Sequence, residues 1–123
     1  MSTESARKYA ESIAAQIEAD CEAGYPFGIV SKDNPATAKN DGDEIDGYDY
    51  LEGVLDIQYT VSGDRQYRGG RVLIAFGGPN AWVNTITGAI ECEWYSETVY
   101  VPLHEDFVNE LDSTLNELWD MGI

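Results

Sequence analysis

Lysine and arginine are scarce in this chain. All seven lie at or before Arg71, namely Arg7, Lys8, Lys32, Lys39, Arg65, Arg68 and Arg71, and the nine acids beyond Arg71 have no base among them. Between Lys39 and Arg65 a further eight acids run without a base. Neutralising phosphates takes Lys and Arg, so this deficit argues against direct binding of DNA or RNA. Histidine occurs once, as His104 near a predicted helix start, and no Ser or Cys sits in a recognisable nucleophile motif. With no HxxxH, CxxC or HExxH either, the residues give no catalytic set, no metal set and no cofactor site. No apolar run approaches the roughly 20 residues of a membrane span. The N-terminus is polar and alternately charged, with no secretory signal. Cysteine is limited to Cys21 and Cys92, far apart and in different predicted elements, which reads as two reduced, buried thiols. These absences together point to a cytoplasmic protein.

What remains is acid and aromatic. The 123 residues carry 23 acids and a formal net charge of -16, yet 43% are hydrophobic. Three Trp, eight Tyr and three Phe separate the chain from disordered acidic tails, where aromatics are rare. The length suits a single domain, residues 1–123. A compact body with such charge repels itself, and in exchange stays soluble and attracts basic surfaces from a distance.

The apolar pattern predicts an α+β fold: an antiparallel sheet of four to five strands, with an N- and a C-terminal helix on one sheet face. Ala6, Tyr9, Ala10, Ile13, Ile17 and Cys21 recur at helical spacing, giving a helix over 3–23 with Ser2 or Thr3 as cap and Gly24 as stop. Tyr25 to Val30 reads as a short extended segment, and 31–49 as a loop long enough to be functional. A meander over 54–103 follows. Leu55, Ile57, Tyr59 and Val61 alternate with polar residues, and further strands are expected at 71–76, 81–85, 89–95 and 99–103. Helical spacing returns over 105–121 through Phe107, Val108, Leu111, Leu115, Leu118 and Trp119.

Three acidic groups stand out. The loop carries Asp41, Asp43, Glu44, Asp46, Asp49 and Glu52, with Asp56 beyond it. Asp41, Asp43, Asp49 and Glu52 fall on ligand positions of a twelve-residue calcium loop, but Ile45 takes the fifth position and the glycine is displaced to Gly47. The loop acids read instead as a contact surface, and reversing Asp43, Glu44 and Asp46 is expected to spare the fold. On the fourth strand Glu91, Glu93 and Tyr95 should share the exposed face, with Glu97 extending the row and Trp82 and Asn84 as neighbours. The C-terminal helix should expose Glu105, Asp106, Glu110, Asp112, Glu117 and Asp120. None of the three groups mixes in the Lys that an ordinary solvated helix or strand would carry. Arg65, Arg68 and Arg71 form the basic cluster. Internal pairing with Asp56, Asp64 or the acidic loop is the expected role, and a phosphate site the alternative.

The stretch Leu73-Ile-Ala-Phe-Gly-Gly-Pro-Asn-Ala-Trp-Val-Asn-Thr85 resembles one in small acidic proteins of bacterial mobile elements and prophages. There a GGPN turn joins two central strands, and the Trp94-Tyr95 strand and acidic closing helix are similar too. In composition the chain also resembles anti-CRISPR and anti-restriction inhibitors that mimic DNA, with carboxylates in place of phosphates. That resemblance implies a non-catalytic inhibitor of a bacterial defence nuclease, its partner a CRISPR effector or restriction enzyme. The partner-binding residues would be Asp41, Asp43, Glu44, Asp46, Asp49, Glu52, Glu91, Glu93 and Glu97, with Tyr95 as apolar anchor. Two other readings stay open: an accessory module binding a basic protein without mimicry, and a small hydrolase or calcium-dependent module.

Overall fold

The computed structural model describes residues 3–32, 39–94 and 97–122. Its elements are α1 (Thr3–Glu22), α2 (Gly47–Glu52), β1 (Asp56–Val61), β2 (Tyr67–Ala75), β3 (Asn80–Asn84), β4 (Ala89–Trp94), β5 (Glu97–Pro102) and α3 (Glu105–Asp120). The strands form one antiparallel sheet in chain order, β1-β2-β3-β4-β5. The fold is α+β, with the two long helices over one face of this sheet.

Period-two alternation decides which face that is. Val72, Val83, Ile90, Cys92 and Val99 all turn toward the helices and are buried. α1 lays Ala6 and Ala10 on Ile90, Cys92 and Val99, and its small side chains let the helix come close to β4 and β5. α3 brings Phe107, Leu111 and Leu115 to Val72 and Val83. The two clusters share Ile13, Ile74 and Leu103 at their margins, so one apolar layer runs between helices and sheet. Each of these large residues that is fully buried stabilises the fold by about 1.5–3 kcal/mol. Cys21 and Cys92 are both free and buried, as their positions in the sequence suggest. Burial pushes both thiols above their ordinary range.

α1 ends as expected at Gly24, whose φ of +90° turns the chain. The amides of Gly24 and Tyr25 donate to the carbonyls of Cys21 and Asp20 at 3.0 and 2.9 Å. Its start at Ser2 lies outside the described residues.

Residues 39–49 of the expected 31–49 loop are more ordered than their composition suggests. Val30 donates to the Asp43 carbonyl at 2.7 Å, Gly42 to Val30 at 2.8 Å and Ile45 to Gly28 at 3.0 Å, so residues 42–45 run back along 28–30. α2 then starts at Gly47, inside the predicted loop. What fastens this segment is apolar and non-local. Phe27, Tyr50 and Phe107 form a ring cluster with centroids 5.1 to 5.4 Å apart, and Ile45 and Leu51 join the same core. Gly47 abuts α3 so closely that a Cβ there would lie 2.1 Å from Thr114 Oγ1. The acidic segment is thus part of the helical layer.

Candidate functional site

The acids of the 39–56 segment divide into those that build it and those left at its surface. Asp46 caps α2: its Oδ1 accepts the Asp49 amide at 2.8 Å, and Asp49 Oδ2 accepts the Asp46 amide at 3.1 Å. This reciprocal box satisfies two amides that a helix start leaves open. Lys39 closes the same corner, with Nζ 2.7 Å from Asp49 Oδ2 and 3.7 Å from Asp46, while donating to the Glu44 carbonyl at 2.8 Å. The Lys39 hydrogen bond, helped by the Asp46 amide, holds the Asp49 carboxyl below its usual range. The same contact raises Lys39. Asp43 Oδ2 accepts the Asn40 amide at 3.0 Å, and Asp56 Oδ1 accepts the Ile57 amide at 2.9 Å.

Asp41, Glu44 and Glu52 are exposed and their carboxylates take none of the described hydrogen bonds. Reversing Asp43, Glu44 and Asp46 together would therefore also remove a turn contact and the α2 cap, the cap alone worth about 1 kcal/mol, so it does not separate binding from stability. Among the described residues no group of three or more His, Cys, Asp or Glu is placed to hold a metal ion.

The fourth-strand row does not form. Glu91 and Glu93 share the helix-free sheet face with Trp82 and Asn84, as alternation requires, but they are not a free acidic edge. Glu91 is only 8% exposed, and its Oε2 accepts from Asn84 Nδ2 at 3.2 Å and Thr87 Oγ1 at 3.1 Å. Glu93 Oε1 accepts from Trp82 Nε1 at 3.0 Å. Glu97 pairs with Trp94, and directly paired residues point the same way, so it falls on the face opposite to Glu91 and Glu93. Tyr95 lies outside the described residues.

The arginines do not pair with carboxylates among the described ion pairs. Arg71 Nε donates to Gln58 Oε1 at 2.9 Å, and its guanidinium lies 3.9 Å over the Trp82 ring. Arg65, in the β1–β2 turn, and Arg68 are exposed.

The C-terminal helix also gives up part of its expected face. Asp112 is half-buried, and its Oδ1 accepts from Tyr67 Oη at 2.7 Å and Thr85 Oγ1 at 2.9 Å. Glu117 accepts the Tyr48 hydroxyl. Glu105, Asp106, Glu110 and Asp120 remain exposed. His104 caps α3, with Nδ1 accepting the Asp106 amide at 3.1 Å.

The fold then does something the linear pattern does not show. It sets Glu44 and Asp46 of the loop against Asp106 and Glu110 of α3, around a cleft of about 390 Å³ floored by Cys21 and Phe27. Over α1, residues 39–53 and α3 there are seventeen carboxylates and three bases, a net -14; over residues 54–104 there are five and three, a net -2. Neither long helix has a base in its last turn, so their negative ends add to this field. The helical layer thus holds nearly all the charge imbalance, and its loop base, Lys39, is already engaged. Asp106 and Glu110 belong to this site although the sequence gives them only as a helix face. Their lack of Lys neighbours was the signal; their meeting with the loop was not readable. Such a face is suited to a cation-rich surface. Compared with known proteins, the chain matches no family model, no curated protein and no solved structure.

Proposed function

We propose that this protein is a non-catalytic binding protein whose acidic helical layer docks on the basic, nucleic-acid-holding surface of a bacterial defence nuclease, a CRISPR effector or a restriction enzyme. Carboxylates take the positions of DNA phosphates and keep the nuclease from its substrate. The observation that carries this reading is the partition of charge, -14 on the helical layer against -2 on the sheet layer. A field of one sign over one face speeds capture of a basic partner, and many pairs engaged together give strength that single exposed pairs lack. The docking residues are taken from the exposed acids whose carboxylates take none of the described hydrogen bonds: Asp41, Glu44, Glu52 and Glu110, joined by Glu18 and Glu22 of α1.

The test uses purified nucleases of both classes, with affinity measured against rising salt and against competing duplex DNA. Binding should fall steeply with salt and be displaced by DNA. Glu22→Lys, Glu44→Lys and Glu110→Lys together should weaken it on the order of 100-fold, at about 1 kcal/mol for each pair lost or reversed. Glu97→Lys on the sheet layer should change it little. Binding that duplex DNA does not displace would instead favour an accessory module without mimicry. Unchanged affinity in the triple variant would remove the helical layer from the proposal.

A further inference from the structure

Both long helices lie over one face of the sheet, and among the described residues no element covers the other. Strand pairing sets what that open face carries. Its central row runs Asp56, Leu73, Trp82, Glu91 and Tyr100 across all five strands, with Arg71 and Asn84 on one side of it and Asn80 and Glu93 on the other. We propose that this face packs on the same face of a second copy of the chain, in a two-fold dimer where the Arg71 guanidinium of each copy meets the Glu93 carboxylate of the other.

The two charges are placed for this exchange. Arg71 on β2 pairs with Asn84, two residues along β3 from Trp82, and Glu93 on β4 pairs with Asn80, two residues the other way. They therefore stand diagonally opposite about Trp82, the middle residue of the middle strand. A two-fold axis passing over Trp82, between two facing sheets, lays each Arg71 on the Glu93 of the other copy. With strands about 4.8 Å apart and about 3.4 Å per residue, the facing strands then cross at roughly 70°, nearer the orthogonal than the aligned class of sheet packing. Trp82 already holds both side chains: Arg71 stacks 3.9 Å over its ring, and Glu93 Oε1 accepts its Nε1 at 3.0 Å. Less freedom is then lost when they pair across the interface. Arg71 Nε goes to Gln58, while its Nη groups and Glu93 Oε2 take none of the described hydrogen bonds.

Charge selects a second copy as the occupant. The helical layer carries -14 and the sheet layer -2, so packing open face on open face keeps the two acidic layers outermost. A sheet separation of about 10 Å and helices about 10 Å thick put those layers roughly 30 Å apart, several Debye lengths at about 0.15 M salt. Pairing through the β1 or β5 edge would instead bring helices of the two acidic layers alongside each other. A basic partner is drawn to the helical layer and meets Arg71 here, and an acidic partner is repelled by the whole chain. A surface with both signs at exchanged positions matches this face, and a two-fold axis supplies it. Tyr100, 55% exposed, adds apolar contact. The face measures roughly 24 by 20 Å in projection, at the small end for a specific interface, so the dimer is weak, with a Kd on the order of tens of micromolar. It does not rest on mimicry of DNA, and it leaves both acidic layers open.

The test is sedimentation velocity of the full chain from about 5 to 500 µM at about 0.15 M salt, where long-range repulsion is screened. The parent should pass from monomer to dimer across that range. Arg71→Glu and Glu93→Arg each set like charges together at both contacts of their own dimer, so each variant alone should dimerise at least about 10-fold more weakly. Mixed in equal amounts, the two restore both opposite-charge contacts, and the heterodimer should form within about 3-fold of the parent Kd. A role confined to the monomer's own stability would not be rescued by mixing. Tyr100→Glu, at an exposed position, should weaken the dimer about 5-fold or more, and it decides the matter if a charge variant does not fold. Glu110→Lys on the helical layer should leave the Kd within about 2-fold. A parent that stays monomeric throughout, a mixture of folded variants that associates no better than each alone, or a dimer unchanged by Tyr100→Glu would overturn the inference. So would an equal loss in Glu110→Lys.

Discussion

Asp112 separates acids that build this protein from acids that are free to bind, and its replacement by alanine is the sharpest check on that division. Its Oδ1 receives hydroxyl hydrogen bonds from Tyr67 at 2.7 Å and Thr85 at 2.9 Å, joining α3 to β2 and to the β3–β4 turn. Thr85 Oγ1 also accepts the Gly70 amide at 3.0 Å, so the carboxylate anchors a small connected network. A hydrogen bond to a charged group contributes about 1.5–3 kcal/mol. The site is half-buried and water partly replaces what is lost, so Tyr67→Phe should cost about 1.5 kcal/mol and Asp112→Ala about 3 kcal/mol. For a chain of this length that is a fall in Tm of about 5 and 10–15 °C respectively. The double variant should cost less than the sum of the two, by about 1 kcal/mol, because the bond between them is removed only once. Urea unfolding followed by tryptophan fluorescence gives all three values. Asp112→Ala within about 0.5 kcal/mol of the parent, or strict additivity with Tyr67→Phe, would refute the reasoning. Asp112 would then return to the pool of exposed acids.

Two further outcomes follow from packing and from the tyrosines. Gly47→Ala forces a methyl to within 2.1 Å of Thr114 Oγ1, so α2 must lift from α3. Unfolding should become easier by about 2–3 kcal/mol, and Gly47→Ala with Thr114→Ala should recover much of it; a neutral Gly47→Ala would show that α2 is not seated on α3. In alkali, burial raises Tyr50 and Tyr59, burial and the Asp112 hydrogen bond raise Tyr67, and the Glu117 hydrogen bond raises Tyr48. Groups whose folded pKa lies above the unfolded value stabilise fully below pH about 10, and that stability is lost as pH rises. The part of the tyrosinate absorbance that comes from these four should therefore rise in a cooperative step together with loss of structure; a smooth, independent titration of all eight tyrosines near pH 10 would contradict this.

The fold class was legible in the linear pattern, because hydrophobic periodicity depends on local spacing. Ala6, Ala10, Ile17 and Cys21 mark one helix face and Phe107, Leu111 and Leu115 another, and both faces are buried as their spacing requires. The alternation through Ile57, Tyr59, Val72 and Val83 fixed strands with one face to the core. The overall charge and the shortage of bases were legible in the linear pattern too. Which acids are available depended on how the elements pack in three dimensions. A carboxylate reads the same in sequence whether it caps α2, as Asp46 does, accepts a tryptophan N–H, as Glu93 does, or stands in water, as Glu44 does. The order in the 39–52 segment was hidden for the same reason, since it comes from Phe27 and Phe107 meeting Tyr50 across long separations in the chain. Strand register moved Glu97 off the Glu91 face, and register is set by pairing partners rather than by composition. The gathering of loop and α3 acids around one cleft is likewise a result of how α2 and α3 pack, which no local pattern of residues encodes.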